Sequence, residues 1–405
     1  MICKFYTKYF LVPVACIAMS ILFSCKKDSL TTSDSVFSLM RVFDDTLGDP
    51  SSAATRIIAG NNRIFMAYGR GSIYVAGDNI YHTTLLVTDN KGNLINRDTL
   101  PVGLTTGDLL VLDDGSLLIA AYYLADGYNN NIYLFHYNEN GEKISVNALV
   151  PDFLNSTGFR GYELYNAVHL NRSINGNPLL CGAFFDSTYY VRGYMLECDV
   201  NGNQLWSKTI YGVIYDCIAT SDGYLYTMPY AASTISLVKT NATGDSLWAK
   251  TYAIPTTYSI NPKQIIRSAN GNYMFSVNPD QGYYSPFVMI QTNENGDSLS
   301  SIVIGKEGEF HYSGGLVPRA DGGVFAIMNG GWEGTFLPGG TFTRVNTEYA
   351  DMNADLEIMK EGNFQKYTTD IITAACETSD GRIACFGIIQ SYHQNYYKPE
   401  LIIIN

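Results

Sequence analysis

The chain has 405 residues, with 38 acidic against 26 basic side chains, a formal net charge of −12, and 46% hydrophobic against 16% charged residues. A pI near 4.8 argues against nucleic acid as a partner, because binding phosphates requires a basic surface that releases counterions. Few charges together with 31 tyrosines exclude a mainly disordered chain, which would be too polar to bury a core.

Lys4 and Lys8 precede an apolar stretch from Phe10 to Phe23, which runs into Leu22-Phe23-Ser24-Cys25. A basic head, a short apolar segment and a small residue before the cut predict a secretory signal peptide over residues 1–24. The stretch contains Pro13 and is too short for a comfortable membrane span. Its last four residues resemble a bacterial lipobox, with Phe23 departing from the usual small or branched residue. That resemblance implies a lipidated Cys25 as mature N-terminus and a membrane anchor at the bacterial outer membrane, with the inner or outer face left open. Residues 25–35 carry the polar run KKDSLTTSDS and read as a flexible tether. Residues 36–405 read as a single domain.

Val36 to Phe43 (VFSLMRVF) is a strand with no neighbour of its own in sequence. Two repeated motifs follow it. In the first, a polar turn with glycine opens an apolar strand: Asp114-Gly115, Asn175-Gly176, Asp222-Gly223, Asn270-Gly271, Asp321-Gly322 and Asp380-Gly381. From Gly115 to Gly381 these recur about every 53 residues, which suits a propeller blade of four strands. Each glycine is expected to take positive φ in a tight hairpin. The second motif, strand–turn–Gly–strand, has its turns at Gly92, Gly141, Gly202, Gly244 and Gly296. A degenerate sixth copy is placed around Phe342 to Asn346, and a truncated seventh spans Leu401 to Asn405. Trp206 and Trp248 fall four residues after their glycines, where a large ring packs between sheets.

The period predicts an all-β, seven-bladed β-propeller, with six or eight blades as alternatives. The first blade is ambiguous, since Ala54–Ala59 or Arg63–Tyr68 would serve as its inner strand. The last copy stops at its third strand, so the strand at Val36–Phe43 is expected to complete that blade and close the ring, removing exposed edges. The segments DVNGNQLWSKTI and NATGDSLWAKTY resemble the repeats of secreted bacterial β-propeller proteins, many of them envelope lipoproteins, and distantly the blades of quinoproteins. The resemblance is structural and implies no chemistry.

The turns DVNGN, NENGE, NATGD and NENGD lack the terminal bidentate Glu of a calcium loop and are explained by turn geometry. His82, His136, His169, His311 and His393 show no metal-ligand spacing, and each reads as a surface or loop residue. No nucleophile elbow, phosphate loop or zinc-binding helix motif is present, and no metal or cofactor is implied. Cys181 with Cys198, and Cys376 with Cys385, read as nearly opposite across hairpins and are candidate disulfides in an oxidising compartment, the alternative being buried thiols. Cys217 is left over and is expected to be buried.

In a four-stranded blade, the loops between second and third strands share one face of the disc. Those loops read AYYLADGYNNN, DSTYYVRG, NPDQGYYSP, NGGWEGTFLPGG and QSYHQNYYKP. They gather Tyr123, Tyr128, Tyr190, Tyr284, Trp332, Tyr392 and Tyr397 beside amides and carboxylates, a composition suited to sugar rings or to a protein partner. The same rings would otherwise pack loops onto the disc. The leading expectation is therefore a non-catalytic lipoprotein that binds a glycan or protein through this face. A propeller glycoside hydrolase or polysaccharide lyase, and a scaffold subunit of a secretion or transport complex, are the alternatives.

Overall fold

The computed structural model describes residues 37–43, 55–75, 78–123, 131–155, 168–186, 190–231, 233–254, 260–279, 286–304, 310–336, 340–364, 370–390 and 397–405. Cys25, its leader and the tether up to residue 36 lie outside them.

Short, β-branched and aromatic runs punctuated by Asx-Gly turns form seven antiparallel four-stranded sheets, six of them blades with their strands in sequence order from the axis outward and the seventh completed by the first strand of the chain. The innermost strands are Thr55–Gly60, Leu104–Val111, His169–Arg172, Asp216–Ala219, Ile260–Arg267, Phe310–Pro318 and Asp370–Glu377, for blades one to seven. Each touches the innermost strand of the next blade, and blade seven touches blade one, so the ring is closed. Seven buried apolar clusters fill the seven boundaries between blades. At the seam between blades one and seven, for example, Tyr68 and Phe386 meet with ring centroids 6.1 Å apart. Each aromatic ring buried this way is worth about 3 kcal/mol.

Blade seven is built from both ends of the chain. Phe37–Val42 pairs antiparallel with Tyr397–Ile404, with Phe37 opposite Ile404 and Val42 opposite Glu400. The truncated repeat thus receives its fourth strand from the N-terminus, as expected. Third strands run toward the repeat turns, so Phe37 enters the disc on the repeat-turn face.

The turn chemistry is visible at the second motif. Its first residue is always Asp or Asn, and the side chain caps the turn; Asp89 Oδ1 accepts from the N–H groups of Lys91 and Asn93, and Asp199 Oδ1 from Asn201 and Asn203. The fourth turn residue is a positive-φ glycine in five blades. In blade six the turn runs from Asn353 to Glu357, and Leu356 holds φ 64° in the glycine's place. The sixth copy therefore lies there and not at Phe342–Asn346, which falls within the long third strand Gly340–Met352. Its disguise has a cause: the Leu356 side chain is buried at the boundary with blade five and offsets the backbone strain.

The ambiguity in blade one is resolved and one expectation about glycine is corrected. The inner strand of blade one is Thr55–Gly60, the first of the two alternatives, and its turn uses Asn61 and Asn62, both left-handed. Gly223 does not take positive φ; it is needed because a Cβ would stand 1.9 Å from the Thr240 carbonyl oxygen.

The cysteine pairings also fail on register. Cys181 faces Met195, and Cys198 faces Gln204 on the other side of its strand, the two thiols entering different clusters. Cys376 faces Ala384 and Cys385 faces Ala375, one position out of step and on opposite faces. All five described cysteines are free thiols. Cys217 is buried as expected, and its thiol lies against that of Cys181 across a blade boundary.

Candidate functional site

Strand direction places Tyr123, Tyr190, Trp332 and Tyr397 at the same end of their blades, opposite the repeat turns. Tyr123 ends the strand Leu117–Tyr123, Trp332 lies in Val324–Phe336, and Tyr397 opens Tyr397–Ile404. Tyr128, Tyr284 and Tyr392 lie outside the described residues. Tyr190 is 67% exposed. By contrast Tyr122, from the same loop region as Tyr123, is buried in the cluster between blades two and three and serves packing.

Two exposed rings that sequence reasoning missed join Tyr190. Tyr211 ends the outer strand of blade three at 78% exposure, and Tyr230 lies at the end of the second strand of blade four at 71%. Tyr211 stands directly opposite Arg192 in the ladder, and the Arg192 guanidinium lies 3.7 Å from the ring centroid. Asp186 fixes that guanidinium, its Oδ2 accepting from Arg192 Nε at 2.7 Å, and its Oδ1 accepts from the Tyr190 N–H at 3.1 Å. The outcome is an ordered aromatic and cationic cluster on the loop face of blade three, with Tyr230 exposed at the same end of blade four. A strand-end position with period-two exposure was the signal available in sequence.

The second feature is the channel on the ring axis, a cavity of about 580 Å³ lined by residues of all seven innermost strands. Four residues before the residue that opens each first hairpin turn, every blade points one position at this axis. In blade order these are Arg56, Asp108, His169, Asp216, Gln264, Gly315 and Ala374. Just before this position, the register of blades two, five, six and seven shifts by a bulge, which re-aims the strand.

Blades one to four thus carry alternating character. Arg56 Nε lies 3.5 Å from Asp108 Oδ1, and His169 Nδ1 lies 3.8 Å from Asp108 Oδ2. The acids also bind backbone. Asp108 accepts from Leu109 N–H at 2.9 Å and, across the blade boundary, from Leu170 N–H at 3.2 Å. Asp216 repeats this with Cys217 N–H at 2.8 Å and Ile265 N–H at 2.9 Å, and also accepts from Asn171 Nδ2 at 3.1 Å. Gln264 accepts from Leu316 N–H at 2.7 Å and donates to the Leu316 carbonyl at 3.2 Å.

Environment separates the two acids. Burial pushes Asp216 up to about 6, the charge of Asp108 adding to it while His169 and the backbone donors oppose. At Asp108 burial acts the same way, but the adjacent His169 imidazole and the Arg56 charge outweigh it and hold the carboxyl below its ordinary value. Among the described residues no group of three or more His, Cys, Asp or Glu side chains is arranged to hold a metal ion. His169, expected as a surface or loop residue, is instead a channel residue.

No protein-family model matches the sequence, and no curated protein matches it. Among solved structures the chain is similar to a protein of unknown function from Bacteroides caccae, at 14% identity and TM-score 0.37, covering 80% of this chain and 87% of that one. It is also similar to a polysaccharide lyase, at 12% identity and TM-score 0.47, covering 88% and 91%. A third likeness is to the β-propeller domain of the Trilobed protease from Pyrococcus furiosus, at 9% identity and TM-score 0.42, covering 85% and 93%. This chain is a seven-bladed β-propeller.

Proposed function

We propose that the protein is a cell-envelope lipoprotein, anchored through Cys25 at the outer membrane, whose propeller binds a glycan on its loop face without transforming it. The observation that carries this reading is the patch of Tyr190, Tyr211 and Tyr230. Three large rings standing 67%, 78% and 71% exposed on one face are uncommon unless something covers them, and Arg192 and Asp186 hold part of the patch rigid. Ring faces beside guanidinium and carboxylate groups offer a sugar both stacking and hydrogen bonds. The anchor fits this orientation. Phe37 lies twelve positions after Cys25, a reach of at most about 40 Å, and sits on the repeat-turn face, so the loop face points away from the lipid.

Tyr190→Ala with Tyr211→Ala should weaken retention on an immobilised glycan array by about tenfold or more while leaving the melting temperature within a few degrees. Unchanged retention on every glycan bound by the wild type refutes the patch as the binding face. Cys25→Ser should release the protein from the membrane fraction; retention there refutes the anchor.

A second reading, a lyase or hydrolase, has its own observation. Asp216, raised to about 6, lines the channel with His169, and a carboxyl tuned to that range exchanges protons near neutrality. Against it, both oxygens of Asp216 are engaged by amide N–H groups that tie blades four and five together, a structural use. Turnover of any oligosaccharide that is lost in Asp216→Asn supports the enzyme over the binder.

A further inference from the structure

Resting on the glycan reading above, a more specific ligand class follows from the one sector of the channel where the polar tier stops. Three residues before each first hairpin turn, the backbone N–H points inward, away from the second strand. In blades two to six this N–H has a side-chain acceptor from the tier. Asp108 takes the amides of Leu109 and Leu170, Asp216 those of Cys217 and Ile265, and Gln264 that of Leu316. Those five residues are all buried, from 0% to 4% exposed.

The equivalent residues of blades seven and one are Ala375 and Ile57. The tier positions that would serve them are Gly315 and Ala374, which have no acceptor, and Arg56, which only donates. Among the described residues no side-chain acceptor reaches either amide. These two positions are also the ones left partly exposed, and both line the cavity. In the same lining the buried Thr373 hydroxyl has no hydrogen-bond partner, a third polar group left unmatched at this seam. Donor capacity is thus concentrated at one sector. Although the chain carries a net charge of −12, the lining holds Arg56 and Lys263 beside Asp108 and Asp216, its remaining cation Arg267 being paired with Glu294.

Asp108 and Asp216 show what shape is missing. Each spans its own following amide and the matching amide of the next blade with one carboxylate. An aspartate at position 374 would complete the series by spanning Ala375 and Ile57. We propose that a carboxylate of the ligand fills this gap, accepting from the Ala375 and Ile57 N–H groups beside the Arg56 guanidinium, and that the glycan is therefore acidic, bearing a uronic acid that enters the channel. Charge-assisted hydrogen bonds from backbone amides and a guanidinium are the strong ones, and a site of this kind rejects an analogue lacking the charged group.

The test uses calorimetric titration of the full propeller with a trigalacturonate and with the same trisaccharide after carboxyl reduction. The expected result is binding of the acid about tenfold or more tighter than of the reduced sugar. Ala374→Asp supplies the missing carboxylate from within and should bring the acid down to the reduced sugar's affinity, with the melting temperature unchanged or raised. Arg56→Gln provides a second variant if that one misfolds, and should weaken only the acid. Equal affinity for both sugars, or trigalacturonate binding untouched by both variants, overturns the carboxylate site while leaving the glycan reading intact. Failure of either sugar, and of every neutral glycan, to bind removes the glycan reading itself. Binding of a short peptide through its terminal carboxylate, abolished by Ala374→Asp while uronates do not bind, overturns the sugar as the source.

Discussion

Replacing Asp216 by Asn should change not only how stable the propeller is but how its stability depends on pH. The carboxyl is buried between blades four and five, and its pKa rises from 3.8 to about 6 on folding. A group raised in this way favours the fold fully below its unfolded pKa, and the contribution is lost as pH rises through the folded value. A shift of about two units is worth about 3 kcal/mol in full, of which about 2 kcal/mol disappears between pH 4.5 and 8. Asn keeps one acceptor for the Ile265 N–H but turns an amide NH2 toward the Cys217 N–H and Asn171 Nδ2, a pH-independent cost of about 1–3 kcal/mol. The wild type should therefore exceed Asp216→Asn in stability most at pH 4.5, with the gap narrowing by about 2 kcal/mol by pH 8. Other titrating groups are common to both proteins and cancel in the difference, apart from Asp108 and His169, which couple to the site directly. Urea unfolding followed by tryptophan fluorescence at several pH values measures it. A gap constant within about 0.5 kcal/mol, or one that widens with pH, refutes the assignment of Asp216 as a carboxyl that is costly to ionise.

Leu356→Gly should cost about 1–3 kcal/mol through lost packing, and Leu356→Ala about 1 kcal/mol more, because Ala loses the packing and keeps the left-handed strain; denaturant midpoints in the reverse order refute this. Glu197 accepts from Ser173, Asn175, Asn177, Trp206 and Tyr224, and these bonds outweigh its burial and hold its pKa below the ordinary value. Glu197→Gln should then cost about 3 kcal/mol at neutral pH, with the gap shrinking as pH falls through the acid range. The five propeller thiols should resist alkylation in the native state and all react on unfolding, since burial pushes Cys198 up to about 12 and raises Cys181, Cys376 and Cys385 as well; an intact mass lower by two hydrogens after oxidation refutes five free thiols. Removal of residues 37–42 should strip blade seven of its outer strand and broaden the unfolding transition.

Blade number and ring closure were legible because both are written in local patterns: a turn signal recurring about every 53 residues, and a last copy one strand short. Legibility failed where another residue does glycine's work. Asn61-Asn62 hid the first turn, and Leu356 hid the sixth, because left-handed backbone is affordable to Asn by its small polar side chain and to Leu only by burial. The cysteine pairs failed for a different reason. A single-residue register offset moves a side chain to the opposite face, and the register each strand takes up is fixed only in the folded sheet.

The channel tier was invisible for a deeper reason. Its seven members lie in seven strands, each about fifty residues from the next, so no motif joins them. Only the closed ring makes them neighbours. The backbone presents the same position seven times, so a residue required by the fold should recur there, as the bulge of the outer strands does with Ile95, Ile144, Leu205, Leu247, Leu299 and Met359. The axial position instead runs Arg, Asp, His, Asp, Gln, Gly, Ala. Staple residues account for Asp108, Asp216 and Gln264, whose bonds join consecutive blades. They do not account for a sector where two adjacent blades forgo the staple and leave amides facing the cavity. Blades six, seven and one hold together without it through apolar clusters as complete as those elsewhere, so no stability argument requires Gly315 and Ala374 to lack acceptors. A ring that breaks its own pattern at one sector, at no evident gain in packing, has the asymmetry that recognition of a single ligand requires.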